Sequence, residues 1–244
     1  MKTYSVNSVW DTLQGEGVRA GARSVFLRFS GCNLWDGNPE HRHLGRGACS
    51  RWCDTAFANG HPMTAGAILQ AMNACWPGGG NAPRWCVVTG GEPLLQLDEP
   101  LLSALVAAGW HVAVETNGSV PFKKGAEALV SHLAVSPKRG APVVLARCDE
   151  LKVVLPGDVE EPWQDSELEA LAARLCPKQC FVQPQDSIDP SKVQTSVLQG
   201  NLGAPAGSVH HVRYANTVTD CIDFVKRNTS WRVGVQLHKL LALP

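Results

Sequence analysis

Short apolar runs alternate with amphipathic stretches along most of this chain. The runs at residues 24–29, 85–89, 111–115, 133–135, 150–155, 179–182 and 231–236 predict strands. Between them, apolar residues recur at helical spacing over 64–75, 97–108, 165–175 and 221–227, and residues 126–130 read as one short helix. Thr64 is placed to cap the first helix and Gly109 to stop the second. Strands alternating with helices argue an α/β domain with a mostly parallel sheet. The strand count falls short of eight, so a partial barrel is expected rather than a closed one. Several strands end in polar or Gly-rich clusters, and ligands bind at that carboxyl edge of a parallel sheet. No repeat or boundary divides residues 1–244, which read as one domain with a long Cys-rich loop at 32–60 and an insertion at 189–211.

Composition narrows the class of function. Twenty-two basic residues balance twenty-two acidic ones, so no global charge draws the chain to nucleic acid or an anionic membrane. No window approaches the roughly 18 apolar residues of a spanning helix. The first residues lack the apolar core of a signal peptide, so a cytoplasmic protein is expected. Nine cysteines make no even disulfide framework. Cys75, Cys86, Cys148 and Cys221 read as small core hydrophobes, and Cys176 and Cys180, flanking Pro177, as residues without a functional role.

Cys32, Cys49 and Cys53 are different, because they share one loop directly after a predicted strand. Three thiolates on a four-iron cube leave one iron open to bind and activate a small molecule. Three cysteines with His41 or His43 suit zinc equally well, and three unrelated thiols are a third reading. The cysteines by themselves leave these alternatives open. Thr89-Gly90-Gly91-Glu92-Pro93, at another strand end, exposes backbone groups and lets a ligand approach closely.

Together these two motifs resemble the radical S-adenosylmethionine superfamily. The resemblance narrows to the 7-carboxy-7-deazaguanine synthases through an ordered series covering almost the whole chain. It begins with Thr12-Leu13-Gln14-Gly15-Glu16-Gly17, and Arg28-Phe29-Ser30-Gly31-Cys32-Asn33-Leu34-Trp35 and Cys53-Asp54-Thr55 follow. After the Gly-Gly motif come Glu115-Thr116-Asn117-Gly118, Ser136-Pro137-Lys138, Glu150-Leu151-Lys152, Gln183-Pro184-Gln185-Asp186 and the ending from His238-Lys239 to Pro244. One departure is the cysteine spacing. The superfamily's usual loop is CxxxCxxC, whereas sixteen residues separate Cys32 from Cys49 and three separate Cys49 from Cys53, with Arg51 as the extra residue. The stretch 189–211 is also longer than the family needs.

The resemblance implies an α/β partial (βα) barrel of the radical S-adenosylmethionine type, modified with fewer helices. It implies a lyase that contracts 6-carboxy-5,6,7,8-tetrahydropterin to 7-carboxy-7-deazaguanine with loss of ammonia, in 7-deazapurine (queuosine) biosynthesis. The implied cofactors are a [4Fe–4S] cluster on Cys32, Cys49 and Cys53, S-adenosylmethionine, and Mg²⁺ on Thr55. S-adenosylmethionine is expected to meet Trp52, Cys53, Asp54, Gly91, Ser136, Pro137 and Lys138, with Gln183, Pro184, Gln185 and Asp186 at its adenosine end. Leu13, Gln14, Gly15, Arg28, Thr89 and the carboxylate of Pro244 are expected to bind substrate. Arg28 would clamp the substrate carboxylate through parallel hydrogen bonds, with Glu16 and His238 completing the catalytic set. The family also implies a flavodoxin or ferredoxin as electron donor and a homodimer. A glycyl-radical-enzyme activase and a structural zinc protein are the alternatives carried forward.

Overall fold

The computed structural model describes residues 2–77, 82–158, 160–185 and 209–243. Asp186, Pro244 and residues 189–208 of the expected insertion lie outside the described residues. Among the described residues nine strands form one sheet: β1 (Thr3–Leu13), β2 (Arg23–Phe29), β3 (His61–Thr64), β4 (Arg84–Gly90), β5 (Trp110–Thr116), β6 (His132–Val135), β7 (Glu150–Leu155), β8 (Gln179–Pro184) and β9 (Trp231–Val233). Their order across the sheet is β3-β1-β2-β4-β5-β6-β7-β8-β9. Every neighbouring pair from β2 to β9 is parallel, while β1 pairs antiparallel with both β2 and β3.

The helices are α1 (Ala65–Cys75), α2 (Glu99–Ala107), α3 (Asp165–Leu175), α4 (Val209–Arg227) and a single turn, α5 (Leu237–Leu240). Thr64 caps α1 by accepting from the Ala67 amide at 3.2 Å, as its position in the sequence predicts. Asp98 does the same for α2 through the Leu101 amide at 3.2 Å. A 3₁₀ turn, Glu127–Leu129, replaces a full helix between β5 and β6. The connection from β6 to β7 carries no helix. The helix complement is therefore reduced, as the family resemblance implies.

Strand parity decides what faces the site. Val25, Leu27 and Phe29 of β2, Cys86 and Val88 of β4, and Val112 and Val114 of β5 belong to the main core. The intervening residues Phe26, Val87 and Ala113 form a second small cluster with Trp10 and Trp85. Successive side chains point to opposite faces of a strand, so the sheet buries apolar residues on both sides. Two residues further on, the face of the smaller cluster turns polar: Phe26 gives way to Arg28, Val87 to Thr89 and Ala113 to Glu115.

Several expectations need correction. The sheet has nine strands instead of fewer than eight, because β1 and β3 add an antiparallel edge. A register shift between Val6 and Ser8 hides β1 in the sequence. Tyr4 and Val6 keep the alternation of a half-buried strand, and the shift then moves the apolar phase to Val9. Thr12 and Leu13 consequently end a strand, and the loop begins at Gln14. Helix α4 starts at Val209, twelve residues before the apolar spacing begins, so residues 209–211 of the expected insertion are helical. The last strand stops at Val233, where Gly234 turns to donate to the Val182 carbonyl at 2.7 Å.

Candidate active site

The cysteine loop leaves the carboxyl end of β2. Gly31 takes φ 89°, a conformation open to glycine, and Cys32 follows. Its partners arrive on a short 3₁₀ turn, Ala48–Arg51. The Cys53 amide donates to the Cys49 carbonyl at 2.7 Å, an i to i+4 bond that puts both side chains on one face of the turn. The three-residue gap is thus absorbed as one helical turn. The extra residue points away, with Arg51 Nη1 lying 3.2 Å from both carboxylate oxygens of Asp158. Arg42 braces the loop by donating to the carbonyls of Ser50 and Cys53 at 2.7 and 3.0 Å, and its guanidinium lies over the Trp35 ring.

Cys32, Cys49 and Cys53 all line one pocket at the carboxyl ends of the strands. Burial pushes the Cys32 thiol up, and it pushes Cys49 up to about 11 despite the Lys138 ammonium. Metal binding therefore has to displace protons from these thiols. The donor set is all sulfur. His41 turns to Asp36, with Nδ1 2.5 Å from the carboxylate, and His43 is exposed. Among the described residues no three His, Cys, Asp or Glu side chains converge on one point. Three thiols lining one pocket are the donor set a four-iron cluster with one open corner would use.

The Gly90-Gly91 strand end is pressed against this loop. A Cβ on Gly91 would stand 2.3 Å from the Gly31 carbonyl oxygen and 2.8 Å from Cys32 Cβ. The Glu92 amide donates to the same Gly31 carbonyl at 2.9 Å. Glu92 itself is fully buried and turns inward, accepting from Thr116 Oγ1, the Asn117 amide and the Leu94 amide at 2.7–3.0 Å. It ties two strand ends together.

The pocket lining includes a buried pair of charges. Glu16 Oε2 pairs with Lys152 Nζ, while Oε1 accepts from Gln183 Nε2 and Gln236 Nε2, both at 3.0 Å. Burial pushes the Glu16 carboxyl up, yet the Lys152 ammonium and the hydrogen bonds around it hold it well below its ordinary value. Gln14, 6 % exposed, bridges the loop to the sheet: Nε2 donates to Glu115 at 2.9 Å and Oε1 accepts from the Glu16 amide at 3.0 Å. Arg28 stands over the Trp10 ring, and its buried Nε has no hydrogen-bond partner. Burial lowers its pKa, against the charges of Glu115, Asp54 and Cys53.

Lys138 Nζ donates to Ser136 Oγ at 2.7 Å and lies 5.6 Å from the Trp52 ring centre. Trp52 Nε1 donates to the Gly157 carbonyl at 2.9 Å, which anchors the loop to the end of β7. The carboxyl-terminal segment closes over the opening loop. The Leu237 amide donates to the Gly15 carbonyl at 2.8 Å, and a Cβ on Gly15 would stand 2.2 Å from His238 Nδ1. Lys239 Nζ reaches Asp54 at 2.5 Å.

Most of the residues singled out in the sequence meet here. Glu16, Trp52, Asp54, Thr55, Thr89 and Gly91 line the pocket together with the three cysteines, as do Ser136, Lys138, Gln183 and Pro184. Leu13, Gln14, Gly15, Arg28, Pro137, Gln185 and His238 flank it without lining it. Sequence motifs gave Glu115 and Lys152 no role, yet both line the pocket. Strand parity carries the missing signal: Glu115 follows Ala113 by two on β5, and Lys152 follows Glu150 by two on β7. Gln236 and Arg42 carry no comparable signal, because loop geometry brings them in.

Comparison with known proteins supplies the context. No family model matches the chain. The 7-carboxy-7-deazaguanine synthase of Burkholderia multivorans is 39% identical over 248 residues, covering 99% of this chain and 100% of its own. Its counterpart in Bordetella pertussis is 38% identical over 247 residues, covering 99% of both chains. That of Caulobacter vibrioides is 38% identical over 248 residues, covering 99% of this chain and all of its own. The crystal structure of QueE from Escherichia coli superimposes with a TM-score of 0.61 at 22% identity, over 97% of this chain and 95% of the other, and so shares the fold.

Proposed function

The chain belongs to the 7-carboxy-7-deazaguanine synthase family, and from that premise we propose that its pocket contracts 6-carboxy-5,6,7,8-tetrahydropterin to 7-carboxy-7-deazaguanine with release of ammonia. The observation that carries this reading is three thiols lining one pocket together with a Gly-Gly strand end that admits no Cβ. When bound, a [4Fe–4S] cluster and S-adenosylmethionine supply the one-electron chemistry that activates C6 of the pterin.

This chain's own residues bind, orient and shield. Cys32, Cys49 and Cys53 hold the cluster, and Gly91 leaves room for the methionine end beside it. Trp52, Ser136, Pro137 and Lys138, with Pro184 and Gln185 at the end of β8, hold S-adenosylmethionine. Arg28, with a free Nε beside the pocket, takes the substrate carboxylate in a charge-assisted pair. The backbone of Leu13, Gln14 and Gly15 and the Thr89 side chain frame the pterin, and His238 holds the opening loop from the other side. Thr55 offers a hard oxygen to Mg²⁺. A small flavoprotein or ferredoxin serves as the electron donor, and the enzyme works as a homodimer. Family membership sets the glycyl-radical activase and the structural zinc protein aside, and of the two candidate imidazoles His41 pairs with Asp36.

The test is anaerobic incubation of reconstituted protein with the carboxy-tetrahydropterin, S-adenosylmethionine, Mg²⁺ and a reductant. A deazaguanine product with S-adenosylmethionine unconsumed is expected. A brown, cluster-loaded protein that forms no such product refutes the substrate assignment.

A further inference from the structure

The Glu16 carboxylate does not face the pocket as a free group. Lys152 occupies one oxygen and two glutamine amides occupy the other. An ionised carboxylate accepts hydrogen bonds and donates none, so each amide must turn its NH₂ toward Glu16. The polarity of both side chains is thereby fixed by chemistry, without the usual ambiguity between amide nitrogen and oxygen. The carbonyl oxygens are left pointing elsewhere. Gln183 Oε1 and Gln236 Oε1 are both buried and have no hydrogen-bond partner among the described residues. Gln183 is 3% exposed, and both residues line the pocket. A buried acceptor left unmet is unfavourable, so a ligand that supplies the donor removes that penalty on binding.

We infer that Gln183 and Gln236 form a paired acceptor for the N–H donors of the pterin ring, and that Lys152, acting through Glu16, is the positioning residue that fixes their polarity. The assignment to the pterin rests on the function proposed above. Two observations favour it over the adenine amino group, the other N–H donor expected in this pocket. Both amides hang from Glu16, the residue after the segment Leu13–Gly15 that frames the pterin. Gln236 also immediately precedes α5, whose His238 packs on Gly15. Trp52, Ser136 and Lys138, which frame the adenosine, make their own contacts elsewhere: Trp52 donates to the Gly157 carbonyl, and Lys138 donates to Ser136 and lies over the Trp52 ring. The reduced pterin is rich in donors, with an exocyclic amino group and ring N–H groups. The backbone of Pro184 and Gln185 stays with the adenosine while the Gln183 side chain turns to Glu16.

Calorimetric titration tests this on the anaerobically reconstituted holoenzyme without reductant, using 6-carboxy-5,6,7,8-tetrahydropterin and S-adenosylmethionine in separate runs. Gln236→Leu and Gln183→Leu should each weaken pterin binding about tenfold, with S-adenosylmethionine binding changed less than about twofold. Glu16→Gln keeps the shape but can donate as well as accept. It should release the amide polarity and weaken pterin binding in the same direction. Lys152→Met should do likewise and Lys152→Arg should restore it, a rescue that a role in folding alone would not show in the ratio of the two affinities. If Lys152→Met does not fold, Glu16→Gln and Gln236→Leu decide the matter. Pterin affinity within twofold of wild type in both leucine variants, or a loss confined to S-adenosylmethionine, overturns the acceptor pair. A wild-type protein that neither binds the pterin nor forms product overturns the function beneath it instead.

Discussion

Replacing Lys152 by Met leaves the Glu16 carboxylate buried with two amide donors and no counter-charge. The two side chains are 7% and 15% exposed, so water cannot take over for the missing ammonium. Removing one partner of a buried pair costs about 3–5 kcal/mol. The two amide bonds persist and the carboxyl can take up a proton, which places the expected loss near the lower end, roughly 3 kcal/mol. In a chain of this size that lowers Tm by roughly 6–12 °C. The sign of the pH dependence follows from the environment. In the wild type the Glu16 carboxyl is held below its ordinary 4.5 and Lys152 above its ordinary 10.5. The carboxylate's contribution is fully present above pH 4.5 and lost as pH falls through its folded value. The ammonium's contribution is present below pH 10.5 and lost as pH rises through its own. Without Lys152, burial drives the Glu16 carboxyl upward, so its stabilising influence is present at low pH and fades as pH rises. The destabilisation by Lys152→Met should therefore be smaller at pH 5 than at pH 8. Urea unfolding followed by tryptophan fluorescence measures it, with Glu16→Gln/Lys152→Met as the control. The double variant removes both charges and should recover about 1–2 kcal/mol relative to Lys152→Met. A fall in Tm below 2 °C, or a loss that grows toward pH 5, refutes the reasoning.

Gly91→Ala drives a methyl group into the Gly31 carbonyl and Cys32; because the obstacle is backbone, a loss of about 1–3 kcal/mol is expected. Iron retained after desalting should fall with it, and full iron content in a protein of unchanged Tm contradicts that. Arg28→Lys keeps the charge but forfeits the planar fork, so KM for the pterin should rise about tenfold with kcat little changed. Steady-state kinetics check this, and an unchanged KM removes Arg28 from the carboxylate. Thr55→Ala should raise the Mg²⁺ concentration needed for half-maximal turnover, read from a Mg²⁺ titration. An identical curve places the ion elsewhere. Arg51→Ala should leave iron content and turnover within about twofold, since its side chain bonds Asp158 away from the thiols; loss of iron would show that the extra residue alters the grip on the cluster.

Much of the site was legible because its residues are confined to strand ends marked by glycine, proline and polar clusters. The seven apolar runs correspond to the seven parallel strands, and α3 was read to the residue at 165–175. Antiparallel β1 escaped because its register shift breaks the alternation on which strand recognition depends. The start of α4 escaped because polar residues such as His210, His211 and Asn216 interrupt the apolar spacing. Lys152 sat inside a recognised motif, but nothing local distinguishes a lysine that meets a glutamate 136 positions away from one at a surface.

The sequence by itself determined the chemistry on offer. Three thiols share one loop, a Gly-Gly strand end follows, and the order of motifs is that of one family. Those are properties of residue type and spacing, which local physics constrains. The tertiary structure decided which groups face a ligand and in what state. It showed the three-residue gap closing as a helical turn, and it turned His41 away from the thiols. It also joined a loop, two strands and the carboxyl-terminal segment at the Glu16 carboxylate. Burial, counter-charge and hydrogen-bond polarity depend on neighbours distant in sequence, and folding alone brings those neighbours together.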